Sequence, residues 1–289
     1  MSILTDWLIL PLQYPFMQRA LMIAVIAGAC CAVLSCHLVL RGWSLMGDAV
    51  AHAVLPGIVL ASVAGIPLAI GAFVAGLFCA VSTGWLQANS RVKSDTVMGI
   101  VYAGMFGLGL VLLTRIETDQ HVMHVLFGNI LGVSVGDILE TLLLGGLSLG
   151  FVLIRGRDLM LQAFDPTHAR AIGLNTGLLR YGLLTALSLT IVVSIKAVGV
   201  ILIVAMLIAP GAIGYLMADR FERMLGTAVA SAVVSGVVGT LFSFHLDASP
   251  GACIVLTQAA IFGAVLVLAP KRGLLATRRR VGAAIGARG

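Results

Sequence analysis

"SLMGDAVAHAVLPGI", residues 44 to 58, sets an aspartate and a histidine into a run that otherwise reads as the beginning of a membrane helix. An ionised carboxylate at bilayer depth costs at least about 2.5 kcal/mol even on insertion scales, so Asp48 marks a functional position by default. His52 follows one helical turn later, which puts both side chains on one helix face. A carboxylate oxygen and an imidazole nitrogen so placed can ligate a borderline divalent cation together. The competing reading is structural: Gly47 and Asp48 cap the helix, and His52 hydrogen-bonds a neighbour. Pro56 and Gly57 in the same segment loosen the backbone ladder and predict a kink or a moving element. Counted along a continuous helix from Arg41, Asp48 lies about 10 Å inside a hydrocarbon core about 30 Å thick.

The rest of the chain supports a membrane setting. Of its 289 residues 60% are hydrophobic and only 10% charged, whereas soluble domains carry about 25% charged residues. The 34 glycines cluster as in "GIVYAGMFGLGL" (99 to 110) and "SGVVG" (235 to 239), and small residues let membrane helices approach closely. The net charge of +6 is distributed between apolar segments and at the C-terminus, as membrane topology requires, which argues against a nucleic-acid partner. All five cysteines fall in apolar runs without a CxxC pair, which makes them packing residues rather than a disulfide or zinc framework. "MSILTDWLILPLQYPF" (1 to 16) lacks the basic start of a signal peptide and reads as an amphipathic lead-in.

A span needs about 20 apolar residues. Such segments run near 17–40, 44–64, 67–88, 97–114, 138–154, 178–195, 197–218, 225–245 and 252–269, giving eight or nine spans in an all-α, polytopic helical bundle. Residues 117–136 are too interrupted to cross and read as an outer loop with a short interfacial or re-entrant helix. With nine spans and the C-terminus inside, of the 18 Lys and Arg only Arg19, Arg115 and Lys196 fall outside, so the bias places the C-terminus in the cytoplasm and the N-terminus outside. No linker divides residues 1–289, which form a single transmembrane domain with a basic tail at 271–289.

The longest polar inner stretch, "RGRDLMLQAFDPTHARAIGLNTG" (155 to 177), carries a local helix signal: Asp165 as N-cap, Pro166 at the first position and Gly173 past the end. It is either a docking knob on the inner face or an ordinary loop. Other polar groups are weaker candidates. His121 and His124, with Glu117 and Asp119, could collect cations in the outer loop; His245 and Asp247 in "FHLDASPG" (244 to 251) read as a turn, with a metal role open; His37 reads as a satisfied polar residue. There is no GxxxxGK[ST], HExxH or GxSxG, so the chain has no phosphate-cradling loop, metalloprotease or serine-hydrolase signature of its own.

"FMQRALMIAVIAGACCAVLSCHLVLRGWSLMGDAVAHAVLPGIVLA" (16 to 61) resembles the start of the membrane permease subunits of bacterial ABC importers for manganese, zinc and iron, the type II-like family served by cluster A-I binding proteins. The resemblance continues through residues 90–113, 164–184, 197–212 and 246–256, nearly the whole chain. It implies that Asp48 and His52, in "MGDAVAHA", are metal ligands on the translocation path; that Asp165, Pro166, Ala169 and Gly173 belong to the segment that couples to the ATPase; and that Arg19 contacts carboxylates on the binding protein. It also implies a permease dimer in the bacterial inner membrane. A separate cytoplasmic ABC ATPase then uses the ATP, and a periplasmic or lipid-anchored protein delivers Mn²⁺, Fe²⁺ or Zn²⁺. No permanently bound cofactor is expected, and the permease itself is not an enzyme. "HAVLPG" favours manganese or iron over zinc, while Ala51 departs from the serine that many relatives carry there. The alternative from another class is a secondary transporter or channel that uses Asp48 and His52 for proton coupling.

Overall fold

A backbone N–H or C=O left unpaired in lipid costs several kcal/mol, so apolar runs of bilayer length cross as helices. The computed structural model of the chain describes residues 10–115, 130–269, 272–274 and 276. Among these residues nine helical segments have the length and composition of membrane spans. The first is α1 (Pro15–Leu40). The second is broken into α2 (Met46–Ala53) and α3 (Leu55–Ala64). It is followed by α4 (Leu68–Asn89) and α5 (Ser94–Arg115). The fifth consists of α6 (Val135–Glu140), a π-turn at Thr141–Gly145 and α7 (Gly146–Ile154). On the inner side lie α8 (Gly156–Phe164) and α9 (Pro166–Ala171). The last four spans are α10 (Thr176–Val198), α11 (Val200–Met217), α12 (Phe221–Leu246) and α13 (Pro250–Leu268).

Two elements differ from the sequence expectation. The fifth span begins at Val135 rather than 138, because Ser134 and Asp137 form a capping box: Ser134 Oγ accepts from Asp137 N at 3.2 Å and Asp137 Oδ2 accepts from Ser134 N at 3.1 Å. Residues 156–164, expected as loop, form α8, which buries Leu159 and Gln162. The outer loop with His121 and His124 lies outside the described residues.

α1 is the hub of the bundle, packed against α11 and α12 and buried over most of its length. Its contact with α11 is made beside a proline. Pro210 has no N–H to donate inside α11, and Ser35 of α1 bonds the backbone on either side of it, donating to Ile208 O at 3.3 Å and accepting from Gly211 N at 2.9 Å. Ser148 and Thr190 tie α7 to α10 in the same way: Thr190 Oγ1 donates to Ser148 Oγ, which donates to Ala186 O, both at 2.8 Å.

Contacts at the two ends agree with the charge-derived topology. Arg41, after the first span, donates to Leu159 O and Gln162 Oε1 of α8, and Arg272, after the last, reaches Tyr215 O and Asp219. These loops therefore share one end. At the other, the Tyr14 ring packs on Phe244, with centroids 5.7 Å apart.

α3 and α4 cross where Gly57 faces Gly71, so closely that a Cβ on either would strike the other's backbone. Gly57→Val is therefore expected to lower the unfolding midpoint in detergent by an overpacking cost of about 1–3 kcal/mol or more. Gly150→Val, where a Cβ meets nothing within 4 Å, should leave it unchanged. An unchanged midpoint in Gly57→Val would contradict the close crossing.

Candidate metal-translocation site

The second span owes its shape to three local features. After α1 the chain turns at residues 41–45, with Trp43 N donating to Leu38 O at 2.8 Å and Gly42 at φ +69°. The helix then restarts at Met46. The depth of the pair is corrected accordingly: rise is counted from Met46, not Arg41, so Asp48 and His52 lie about 3 and 9 Å along the axis from the inner end. Gly47 sets the packing behind them, since a Cβ there would come within 2.7 Å of Leu207 Cδ1 on α11. Met46, Gly47, Ala49, Val50, Ala51 and Ala53 are all buried. What remains open is the face that carries Asp48 and His52, both about a third exposed.

The two side chains meet. His52 Nδ1 lies 3.1 Å from Asp48 Oδ1 and 3.0 Å from Asp48 O. Asp48 makes no capping bond; the N-cap position belongs to Leu45, whose side chain does not cap either. The structure thus gives no support to the capping alternative. Two ligand atoms on adjacent corners of an octahedron with bonds of about 2.1 Å stand about 3.0 Å apart. The observed separation suits either an Asp–His hydrogen bond or a shared divalent ion that replaces the proton.

Two residues that the sequence reading missed complete the wall. Phe106 of α5 meets the His52 ring edge to face, with centroids 5.6 Å apart, and Tyr102 lies at 6.2 Å. Their i, i+4 spacing within "YAGMF" was the available signal. α5 comes this near because Gly109 leaves room for Leu55; a Cβ there would lie 2.8 Å from Leu55 Cγ. One turn beyond His52, Pro56 offers no N–H to the His52 carbonyl, and the helix breaks between Ala53 and Leu55.

The other sequence candidates are dispersed. Among the described residues no three His, Cys, Asp or Glu side chains gather as a metal site, so they bring no third such ligand to the Asp48–His52 pair. Asp247 is the left-handed C-cap of α12, φ 49°, and His245 lies in the last turn of that helix, which makes the segment a turn as expected. His37 is buried, 3.1 Å from Val33 O and edge-on to Phe221. All five cysteines are buried and free. Arg19 is exposed near the outer end of α1.

On the inner face α9 has the expected caps. Asp165 Oδ1 accepts from Thr167 N at 3.0 Å and His168 N at 2.8 Å, Pro166 opens the helix, and Gly173 follows at φ +88°. Ala169 is fully buried and anchors α9 to the bundle, while Pro166, Thr167, His168 and Arg170 are exposed.

Comparison with known proteins places this arrangement. The ABC 3 transport family matches residues 13–269. The chain belongs to that family. It is 59% identical over 257 residues to the chelated iron transport system membrane protein YfeD of Yersinia pestis, covering 89% of this chain and 86% of that one. It is 49% identical over 274 residues to the manganese transport system membrane protein MntB of Synechocystis sp., covering 95% and 90%. The solved structure of PsaBC from Streptococcus pneumoniae in complex with Fab superposes with a TM-score of 0.83 at 34% identity, over 95% of this chain and 99% of that one.

The helix break is open to test. Pro56→Ala supplies an N–H for the His52 carbonyl and is expected to slow hydrogen exchange in peptides covering residues 52–60 of the purified protein. Unchanged or faster exchange would mean that Pro56 does not cause the break.

Proposed function

We propose that the chain is the permease subunit of an ATP-driven importer that carries Mn²⁺ or Fe²⁺ across the bacterial inner membrane, with Asp48 and His52 as transient ligands on the path. The observation that carries this reading is the contact between a carboxylate and an imidazole on the one open face of α2, whose other residues are buried. The names of the iron and manganese relatives support the choice of ions.

A single chain offers two such ligands where these ions usually take four to six. A second permease, identical or related, meeting this one across a two-fold axis supplies two more. The small number from each chain keeps coordination weak enough for release, since a conducting site must permit both entry and exit. The hard carboxylate suits Mn²⁺, and the imidazole favours transition ions over Mg²⁺ and Ca²⁺.

Power comes from a separate cytoplasmic ABC ATPase, which grips α9 by its exposed residues Pro166, Thr167 and His168. In this role Asp165 and Gly173 shape the helix and Ala169 roots it. A periplasmic or lipid-anchored binding protein delivers the ion at the outer end, where Arg19 meets a carboxylate. The break at Ala53–Leu55 lets the ligand-bearing half of the span shift while the rest stays packed. No observation of its own favours the proton-coupled alternative.

The test is uptake of radioactive Mn²⁺ in cells that lack other manganese importers and express the full system. Asp48→Ala and His52→Ala, at matched membrane levels, should each reduce uptake about 10-fold or more, the scale of losing a ligand or its support. An inactive ATPase should abolish uptake. Normal uptake in both permease variants would contradict the assigned path, and ATPase-independent uptake would contradict the importer.

A further inference from the structure

At the inner end of the bundle, the ends of α1, α8, α9 and α10 enclose a cavity of about 140 Å³. Three guanidinium groups line it, from Arg41, Arg170 and Arg180, together with Gln162, Trp43 and Thr176, and no carboxylate is among the lining residues. Arg41 is held in place: its Nη2 donates to Leu159 O at 3.2 Å and Gln162 Oε1 at 2.6 Å, and its guanidinium carbon lies 5.4 Å from the Trp43 ring centroid. Its Nε is buried and has no hydrogen-bond partner. Burial, and after it the charge of Arg180, push the Arg41 guanidinium down to about 10. Three cations thus converge without a counter-charge, one of them with a buried donor left over.

We propose that this cavity binds the phosphate of an anionic phospholipid from the inner leaflet. Guanidinium forks match phosphate oxygens in bidentate geometry, and a phosphate here would neutralise the repulsion between Arg41 and Arg180. The location favours a lipid over a protein carboxylate. Basic pockets between spans on the cytoplasmic side are suited to acidic headgroups, and Trp43 is a residue type of the membrane interface. Phe164 and Leu178, 66% and 64% exposed on the same elements, offer apolar surface for acyl chains. Because Arg170 belongs to α9, an occupied site links that helix to α1 and α10.

The test uses the assembled transporter, washed in detergent after reconstitution with phosphatidylglycerol or phosphatidylcholine, with retained lipid counted by native mass spectrometry. Wild type should retain phosphatidylglycerol over phosphatidylcholine. Arg170→Gln or Arg180→Gln should reduce retention about fivefold and the double variant more than tenfold, as expected for about 1 kcal/mol per basic residue. Arg180→Lys should retain part of the lipid, and Arg91→Gln, in another inner loop, should retain all of it. Arg170 is exposed, so its single variant keeps the test valid should the double variant fail to fold. Unchanged retention in Arg170→Gln and Arg180→Gln overturns the proposal. Release of the lipid by millimolar inorganic phosphate would assign the cavity to a soluble anion and overturn the lipid source. Weaker binding of the ATPase subunit with lipid retention unchanged would assign it to a protein carboxylate, with the same consequence.

Discussion

A carboxylate in a membrane span must find a partner or be neutralised, and the structure is arranged around that constraint at Asp48. Its partner is on its own helix, one turn away, and the rest of α2 is buried so that only this face stays open. Gly47 against Leu207 closes the back, Gly109 against Leu55 brings α5 and its aromatic rings alongside, and the missing N–H of Pro56 ends the rigid turn just past His52. The same rule governs the neutral polar groups. Ser35 bonds the α11 backbone on either side of Pro210, and Ser148 with Thr190 joins two helices, so that serine and threonine hydroxyls serve as internal partners where water is absent.

This arrangement separates the residues that hold α2 from the two on its open face. α1 is the most buried span and packs against α11 and α12, and α2 is a short segment between a turn at residues 41–45 and a break at Val54. Six buried residues hold α2 in the core, and its open face carries Asp48 and His52. α9 repeats the principle at the inner face: one fully buried residue, Ala169, fixes it, and an exposed polar face remains for a partner.

Much of this was legible in the sequence because each feature has a local cause. Hydropathy located the spans, since bilayer thickness sets their length, and Asp165, Pro166 and Gly173 fixed α9 through caps that act within a few residues. The Asp48–His52 pair followed from helical spacing alone. Tyr102 and Phe106 share a helix face by their i, i+4 spacing, but which neighbour that face meets was not legible, because in a uniformly apolar span the residues facing lipid and those facing a neighbour have the same chemistry. The depth of Asp48 was misjudged because the turn at residues 41–45 rests on a positive φ at Gly42 and on tertiary contacts of Arg41, neither visible in a hydropathy count. α8 was read as loop because its charged residues concealed the burial of Leu159 and Gln162 against the bundle.

The central claim is that a metal ion passes between Asp48 and His52, and the most direct measurement is an anomalous difference map of the assembled transporter soaked with Mn²⁺ and recorded at the manganese edge. The account predicts a peak about 2.1 Å from an Asp48 carboxylate oxygen and a His52 ring nitrogen. A manganese peak elsewhere along the pathway, with Asp48 and His52 still bonded only to each other, would contradict it.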